Sequence, residues 1–220
     1  MIEAKISQKL HKLLNNSRLG ILLSNVKVLP STLSYTEYLS NNHQQMITAL
    51  ESKRETDYDV IKETRSAYKV CGKEPSRYRP SAEALMRRLR TKKDLYQINN
   101  VVDTINLISV NTQYSIGGFD NNQIHGEIIC DVGTSDIYEA IGRGNLNIEF
   151  MPGLRDSLGF FGTPTSDSER TMVTNDTTNL LLVFYDFYGN KSLEAAMDYG
   201  ENMLAEHCFG STTFKSILSH

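Results

Sequence analysis

The sequence predicts an α+β fold, because helical patterns fill its first half and strand patterns fill its second half. Helices and strands do not alternate regularly, which argues against a doubly wound parallel sheet. Residues 179–187, NLLLVFYDF, form a nearly continuous apolar run, which is typical of a strand buried on both faces. A chain of 220 residues is consistent with one large domain or two small ones.

The first half is predicted to be mainly helical, because its apolar residues recur three and four positions apart. Ser81 is a plausible N-cap for a helix that buries Ala82, Leu85, Met86 and Leu89. The predicted helices cover 2–15, 35–54, 57–71, 82–91 and 99–112, with a strand over 19–29 and a proline-containing connector over 73–80. Val101, Val102, Ile105 and Ile108 are expected to face inward from the last of these helices.

The second half is predicted to contain strands over 124–131, 145–151 and 179–187, and a final helix from Ser192 to about residue 208. Between these elements lie two segments that we expect to be loops. The first, 114–127, is rich in glycine, which permits positive φ angles or a close approach to a ligand. The second, 159–179, is dense in hydroxyl and carboxylate side chains, and a flexible surface loop is the simplest interpretation of it.

The helix INNVVDTINLI, residues 98–108, keeps four polar residues among aliphatic ones: Asn99, Asn100, Asp103 and Asn106. A helix that only packs against a core has no need of them. Two interpretations are open: these side chains line a binding pocket, or they satisfy the buried backbone groups of neighbouring loops. We expect Asn106 to have a structural role.

The net charge of −3 is unevenly distributed. Residues 69–93 carry nine basic and two acidic side chains, a charge of +7, whereas the remainder carries −10. A separate basic segment of this kind can face a polyanion such as nucleic acid. The alternative is that it forms a solvated helix face.

The sequence contains no apolar run near the ~18 residues of a membrane span, and its beginning, MIEAKISQKL, does not resemble a signal peptide. The three cysteines, Cys71, Cys130 and Cys208, are far apart and fit no metal-ligand spacing. We therefore expect a cytoplasmic protein with reduced thiols, no metal and no cofactor, and neither a membrane nor DNA as a partner.

Composition and motifs identify no catalytic set. The sequence has no HExxH, GxSxG, Walker or dinucleotide-binding motif. His125 lies in a predicted strand and could act as a general base, although a surface or packed histidine is the more common case.

Three motifs, in order, resemble those of a known family. INNVVDTINLI, then IGGFD, then GFFG…SDS…TMVTNDTTNLLLV are similar to the B3/B4 module of the β subunit of bacterial phenylalanyl-tRNA synthetase, its editing domain. There the motifs read roughly INNVVDVTNYV, HAFD and GIMGGEDS…VTEETTNILLE. The segment AYKVCGKEPSRYRPSAEALMRRL, residues 67–89, looks more like free-standing B3/B4 proteins, which are short chains without an attached synthetase.

The resemblance implies a sandwich of mixed β-sheets flanked by helices. It implies one domain over 1–220, with a helix-rich portion, 1–76, before a core that matches the motifs, 77–210. In the synthetase the module's pocket receives the 3′ end of mischarged tRNA and hydrolyses the ester. The chain is too short to be a synthetase and lacks the class II motifs.

The chain departs from the synthetase at two pocket positions. Gly117 stands where the synthetase has the histidine of HAFD, and Ser166 lies near the position of its pocket glutamate. A site that hydrogen-bonds a substrate hydroxyl can discriminate against an analogue that lacks the hydroxyl by a factor of ~10⁴–10⁵. The loss of those hydrogen-bonding side chains should therefore remove most of this discrimination. Asp120 and Asp167 are the candidate replacements.

The leading hypothesis is a free-standing module that binds tRNA or aminoacyl-tRNA and hydrolyses mischarged aminoacyl-tRNA in trans. Backbone N–H groups at 117–118 and 162–168 would hold the water and stabilise the oxyanion. The alternatives are a non-catalytic module that binds an amino-acid-like ligand or a protein partner, and hydrolysis of an unrelated substrate. The expected pocket residues are Asn100, Asp103, Gly117, Gly118, Phe119, Asp120, Thr163, Ser166 and Asp167. The expected phosphate contacts on RNA are Arg77, Arg79, Arg87, Arg88, Arg90, Lys92 and Lys93.

Overall fold

A computed structural model describes residues 2–91 and 93–220, and in them the α+β class is confirmed. The helices are α1 (Gln8–Leu13), α2 (Leu33–Ser52), α3 (Asp59–Cys71), α4 (Ser81–Arg90), α5 (Asn100–Thr112) and α6 (Leu193–Cys208). The strands are β1 (Ala4–Ile6), β2 (Arg18–Asn25), β3 (Ile116–Asp120), β4 (Ile128–Val132), β5 (Glu139–Ala140), β6 (Gly144–Asn145), β7 (Pro152–Asp156), β8 (Gly159–Gly162), β9 (Asn179–Asp186) and β10 (Ser211–Ser219).

Two four-stranded sheets form the expected sandwich. Their strand orders are β1-β4-β7-β8 and β10-β2-β9-β3, and β5 with β6 forms a separate two-stranded ribbon. The pair β1–β4 is parallel, whereas the other pairs in both large sheets are antiparallel. Apolar side chains from both sheets, such as Ile21, Cys130, Leu154 and Val183, join in one buried cluster.

Helices α5 and α6 cover the other face of the second sheet. Leu180, Leu182 and Phe184 of β9 belong to a second cluster with Ile108 of α5 and Leu204 of α6. Alternate residues of β9 therefore face the other sheet or the helices, which explains why the whole strand is apolar. The prediction of a strand buried on both faces is confirmed.

The polar residue at the start of α5 is a helix cap. The Asn99 side chain accepts a hydrogen bond from the N–H of Val102 at 2.9 Å, which satisfies one of the free donors of the first turn. Val101, Ile105 and Ile108 are buried as predicted, whereas Val102 is half-buried.

Helix α4 packs as predicted, with Ala82, Met86 and Leu89 fully buried and Leu85 partly buried. The cap prediction was wrong, because Pro80 occupies the cap position and the first helical residue is Ser81. The backbone N–H of Ser81 donates to the carbonyl of Pro164 at 2.7 Å, which ties the start of this helix to the loop after β8.

Four of the other predictions were wrong. The segment 159–179 is not a flexible surface loop, because it begins with β8 and its Thr163 and Thr171 side chains are buried. Residues 2–15 are not one helix: Ala4–Ile6 pair with β4, and Ser7 then caps α1. The glycine-rich segment 114–127 contains β3, because pairing with β9 supplies the backbone hydrogen bonds that local propensity does not predict. The segment 145–151 is not a strand beyond Asn145, since the next strand begins at Pro152.

The helix-rich portion also contributes to the sheets. Strand β1 pairs with β4, and β2 lies between β10 and β9. In the described part of the chain, no helix has both the length and the apolar character needed to cross a membrane.

Candidate ligand-binding cavity

A cavity of about 780 Å³ opens beside β3, the edge strand of the second sheet. Its walls come from α4, α5, β3, the turn between β5 and β6, the loop after β8 and the segment before β9. The lining residues are Ser81, Leu85, Tyr96, Ile98, Val102, Ile105, Asn106, Ser109, Ile116, Gly118, Ile141, Gly142, Arg143, Thr163, Thr165, Ser166, Asp167, Met172 and Val173. The cavity is mostly apolar, and three of its hydroxyl groups, on Thr163, Thr165 and Ser166, come from the loop after β8.

Four of the predicted pocket residues meet in this cavity. Gly118 comes from β3, and Thr163, Ser166 and Asp167 come from the loop after β8. The Oδ2 atom of Asp167 accepts a hydrogen bond from the N–H of Gly118 at 3.0 Å. This bond joins the two loop motifs of the sequence at the free edge of β3. Their role toward a ligand stays a prediction.

Asp167 is the one acidic residue among those that line the cavity. It is half-buried and forms no ion pair with any described residue. Burial raises the pKa of the Asp167 carboxyl to about 8, although the hydrogen bond from Gly118 acts in the opposite direction. A carboxyl with this pKa is mostly protonated near neutral pH, and a cationic ligand would favour its ionised form.

Gly117 lies directly behind this carboxyl, and the fold leaves no room for a side chain there. A Cβ atom on Gly117 would lie 2.3 Å from Cζ of Phe119 and 3.3 Å from Oδ1 of Asp167. The Phe119 ring is fully buried and meets Phe161 edge to face, with centroids 4.9 Å apart. The histidine of the HAFD motif could not be accommodated at this position without moving that ring.

The loop after β8 is held by its own hydrogen bonds. The Thr163 hydroxyl accepts from the N–H groups of Thr165 and Ser166 and donates to the carbonyl of Ser166. The Tyr138 hydroxyl donates to the same carbonyl at 2.8 Å. The N–H of Thr163 also bonds to Ser166, so these backbone donors are already engaged and are not free to hold an oxyanion.

Asn100 lies outside the cavity. Its side chain accepts from the N–H of Leu29 at 2.7 Å and donates to the carbonyls of Lys27 and His207 at 3.0 and 2.9 Å. All its hydrogen-bonding groups therefore hold the chain segments that cross the start of α5. This geometry matches the structural interpretation of the polar helix.

Asp103 and Asp120 are also directed elsewhere. Asp103 accepts from the hydroxyl of Ser31 at 2.6 Å and the N–H of Ile98 at 2.8 Å, and it borders a neighbouring cavity of about 210 Å³. Asp120 accepts from Asn122 N–H and the Thr177 hydroxyl, both at 3.0 Å.

The sequence did not point to several cavity residues. Asn106, expected to be structural, borders both cavities. It shares one face of α5 with Val102, Ile105 and Ser109, a spacing of three or four residues that would have identified this wall. The turn at 141–143 carried no comparable signal, because only the tertiary fold brings it to the cavity.

The basic segment is partly neutralised by ion pairs. Arg79 pairs with Glu83 at 3.1 Å, and Arg90 pairs with Glu55 at 2.7 Å. Both carboxylates are almost fully buried, so these two arginines have structural roles.

The remaining predicted contacts among the described residues form no ion pair. Arg88 stacks on Tyr96, 3.9 Å from the ring centroid, and donates to its hydroxyl at 3.1 Å. Arg77, Arg87 and Lys93 are exposed. The predicted contact Lys92 lies outside the described residues.

A wider groove of about 1110 Å³ lies against the first sheet, and both of its arginines are held in ion pairs. Arg155 pairs with Asp131 at 3.1 Å, and Arg170 pairs with Asp156 at 2.9 Å. Among the described residues, no group of three or more histidine, cysteine and acidic side chains could hold a metal ion. The smaller cavity beside β3 is therefore the better candidate site.

The chain is similar to proteins of one known family. It resembles, over its full length, a solved N-terminal fragment of the phenylalanyl-tRNA synthetase β subunit from Pyrococcus horikoshii, at 13% identity and a TM-score of 0.49. It spans 55% of that fragment. No curated protein matches it. The sequence model of the B3/4 domain matches residues 63–209, about two thirds of the chain. The chain therefore belongs to the B3/4 domain family.

Proposed function

We propose that this B3/4 module binds the aminoacylated 3′ end of tRNA. One observation carries the proposal: a largely apolar cavity with a single unpaired carboxylate opens beside an arginine-rich helix and an exposed aromatic ring. An aminoacyl end presents matching chemistry, since it combines a side chain, an ammonium group, a terminal base and phosphates.

The entrance supplies the groups that a nucleotide requires. Tyr96 and Ile98 border the cavity, and 64% and 63% of their surfaces are exposed. Nucleotide bases stack on exposed aromatic rings such as that of Tyr96, with a binding free energy of ~1–3 kcal/mol for each base and little dependence on sequence. Arg88 lies against Tyr96, and the exposed Arg87 lies on the same helix, where both can contact phosphates.

A binding assay tests the proposal. The same tRNA is titrated in its aminoacylated and deacylated forms, with several amino acids and at two salt concentrations. We expect at least about tenfold tighter binding of a charged form, because burial of the aminoacyl group adds to the phosphate contacts. Equal binding of charged and uncharged tRNA, or none, would overturn the proposal.

A matched pair of variants locates the contact. Tyr96→Ala should weaken tRNA binding by roughly fivefold or more, through loss of stacking. Phe209→Ala serves as the control, since Phe209 is 69% exposed but does not line the cavity. If both variants bind as the unmodified protein does, the entrance at Tyr96 is not the nucleotide site.

Hydrolysis of the bound ester is a second candidate function. The observation in its favour is the position of the Asp167 carboxyl, which lines the cavity with Oδ1 unengaged by the described residues and, with a pKa of about 8, can accept a proton once it is ionised. The engaged N–H groups of Thr163, Thr165 and Ser166 do not favour an oxyanion site in that loop. Hydrolysis is tested by measuring the loss of the ester in the binding mixtures. If the ester is lost at the same rate with and without the protein, the module binds but does not hydrolyse.

A further inference from the structure

Asp167, which is half-buried, has fewer partners than the buried carboxylates of the described chain. Asp156, Asp186, Glu55 and Glu83 each pair with an arginine. Asp103 and Asp120 accept one hydrogen bond on each carboxylate oxygen.

Asp167 receives only the bond from Gly118, on Oδ2, and its Oδ1 accepts none from the described residues. The interior of a protein disfavours a carboxylate with so few partners. Oδ1 is therefore free to accept a hydrogen bond from water or from a ligand in the cavity.

The groups that face Asp167 are neutral or distant. The Tyr185 hydroxyl is buried without a hydrogen-bond partner, and proximity to the Asp167 charge adds to the burial that raises its pKa. Tyr138, whose pKa burial also raises, directs its hydroxyl to Ser166. Arg143 lines the cavity but lies beyond ion-pair distance of Asp167.

No described residue forms an ion pair with Asp167, so a cationic ligand would meet an unpaired carboxyl. The surrounding walls restrict what that cation can be. Ile105, Ile116 and Val173 line the same cavity, so the cation must be attached to an apolar body. A compact ammonium group on an aliphatic or aromatic chain satisfies both demands.

We propose that Asp167 is the counter-ion for the ligand's ammonium group, so that the cavity selects primary amines of the aminoacyl class over their N-acylated forms. This inference rests on the proposed function for the identity of the site, but its test uses small amines and does not require tRNA.

The proposal predicts a proton exchange. In the empty cavity burial keeps the Asp167 carboxyl protonated up to about pH 8, so an ammonium that binds at neutral pH must displace that proton. The affinity for a permanently charged amine should therefore rise with pH up to about 8 and then level off. A neutral ligand of the same shape should show no such dependence.

The experiment compares 3-methylbutylamine with 3-methylbutan-1-ol by ligand-observed NMR between pH 6 and pH 9. The amine keeps its charge over this range, as alkylamines titrate near ~10.4. We expect the full chain to bind the amine at least about tenfold more tightly than the alcohol at pH 8. Asp167→Asn should abolish this preference and its pH dependence.

Two controls keep the outcome clear. Asp136→Asn removes an exposed carboxylate from the wider groove and should leave the preference unchanged. Equal binding of the alcohol by the unmodified protein and Asp167→Asn would show that the variant's cavity is intact. If instead Asp167→Asn keeps the amine preference, the proposal is wrong.

The outcome is separable from that of the proposed function. An amine preference without any binding of aminoacyl-tRNA would refute the proposed function and leave Asp167 as an amine counter-ion. Equal binding of aminoacyl-tRNA and N-acetyl-aminoacyl-tRNA would refute the counter-ion and leave the proposed function. If Asp167→Asn slows ester hydrolysis but does not weaken amine binding, Asp167 is a general base instead.

Discussion

The Oδ2 atom of Asp167 accepts a hydrogen bond from the backbone N–H of Gly118 at 3.0 Å, although the two residues are 49 positions apart. Gly118 belongs to the edge strand β3, so this bond occupies an edge donor that would otherwise face the cavity. The same bond holds the carboxylate against the sheet with one oxygen left over. The proposed binding of an ammonium group depends on this arrangement.

The first prediction concerns pH and stability at Asp167. The folded pKa of about 8 lies above the unfolded value near ~3.9, so the folded state retains a proton that the unfolded state has lost between these pH values. The free energy of unfolding should therefore fall as pH rises from about 5 to 8, by at most about 1.4 kcal/mol per pH unit from this group.

Asp167→Asn removes that titration. Urea unfolding should give stabilities that are closest near pH 4 and diverge as pH rises, with the Asn variant the more stable at pH 8. An identical pH dependence in the two proteins would show that the carboxyl does not titrate in this range.

The second prediction concerns the two glycines of β3. Gly117→Ala should destabilise the fold by roughly 1 to 3 kcal/mol, because the new Cβ would press on the buried Phe119 ring. At Gly118 the nearest atom is Cδ1 of Ile105 at 2.6 Å, the mobile end of a side chain that borders the cavity. Gly118→Ala should therefore have the smaller effect in the same unfolding assay, and the reverse order would contradict this geometry.

The third prediction separates the asparagines of α5. Asn100→Ala should lower the free energy of unfolding by roughly 2 to 4 kcal/mol, since it leaves the buried N–H of Leu29 and two carbonyls without partners. Asn106→Ala is the matched control on the same helix. It should have little effect on stability and a measurable one on ligand affinity, because Asn106 lines the cavity.

The fourth prediction concerns the basic segment. Arg90→Ala should destabilise the protein by roughly 1 to 3 kcal/mol, since Glu55 would remain buried without its cation. Arg87→Ala should change stability by less than ~0.5 kcal/mol, as is usual for a surface side chain. A variant that includes Arg90 therefore cannot separate RNA binding from folding.

The test for RNA contacts should use Arg77, Arg87 and Lys93. If they bind phosphates, replacing all three with alanine should flatten the log–log salt dependence of tRNA binding by about 0.7 to 0.9 for each phosphate that is no longer neutralised. A slope that does not change, with the same affinity, would exclude these three residues from the RNA interface.

The sequence by itself determined the fold class, most helices and the central strand, because these follow from local spacing of apolar residues. Residues 179–187 read as a strand buried on both faces, and β9 lies between β2 and β3 with helices on one side. The helix over 99–112 was predicted within one residue at its start, since its apolar spacing and its cap are both local. The ordered motifs also indicated the family to which the chain belongs.

Only the tertiary structure decided which polar residues share a cavity. Asn100 and Asp167 looked equally suited to a pocket, yet one is surrounded by backbone groups of distant segments and the other retains a free oxygen. The strand at Ile116–Asp120 and the placement of the turn at 141–143 also depended on long-range pairing, since Ala140 bridges to Ser168. The physical reason is that hydrogen-bond satisfaction and desolvation depend on all neighbours in space, whereas the sequence displays only the neighbours along the chain.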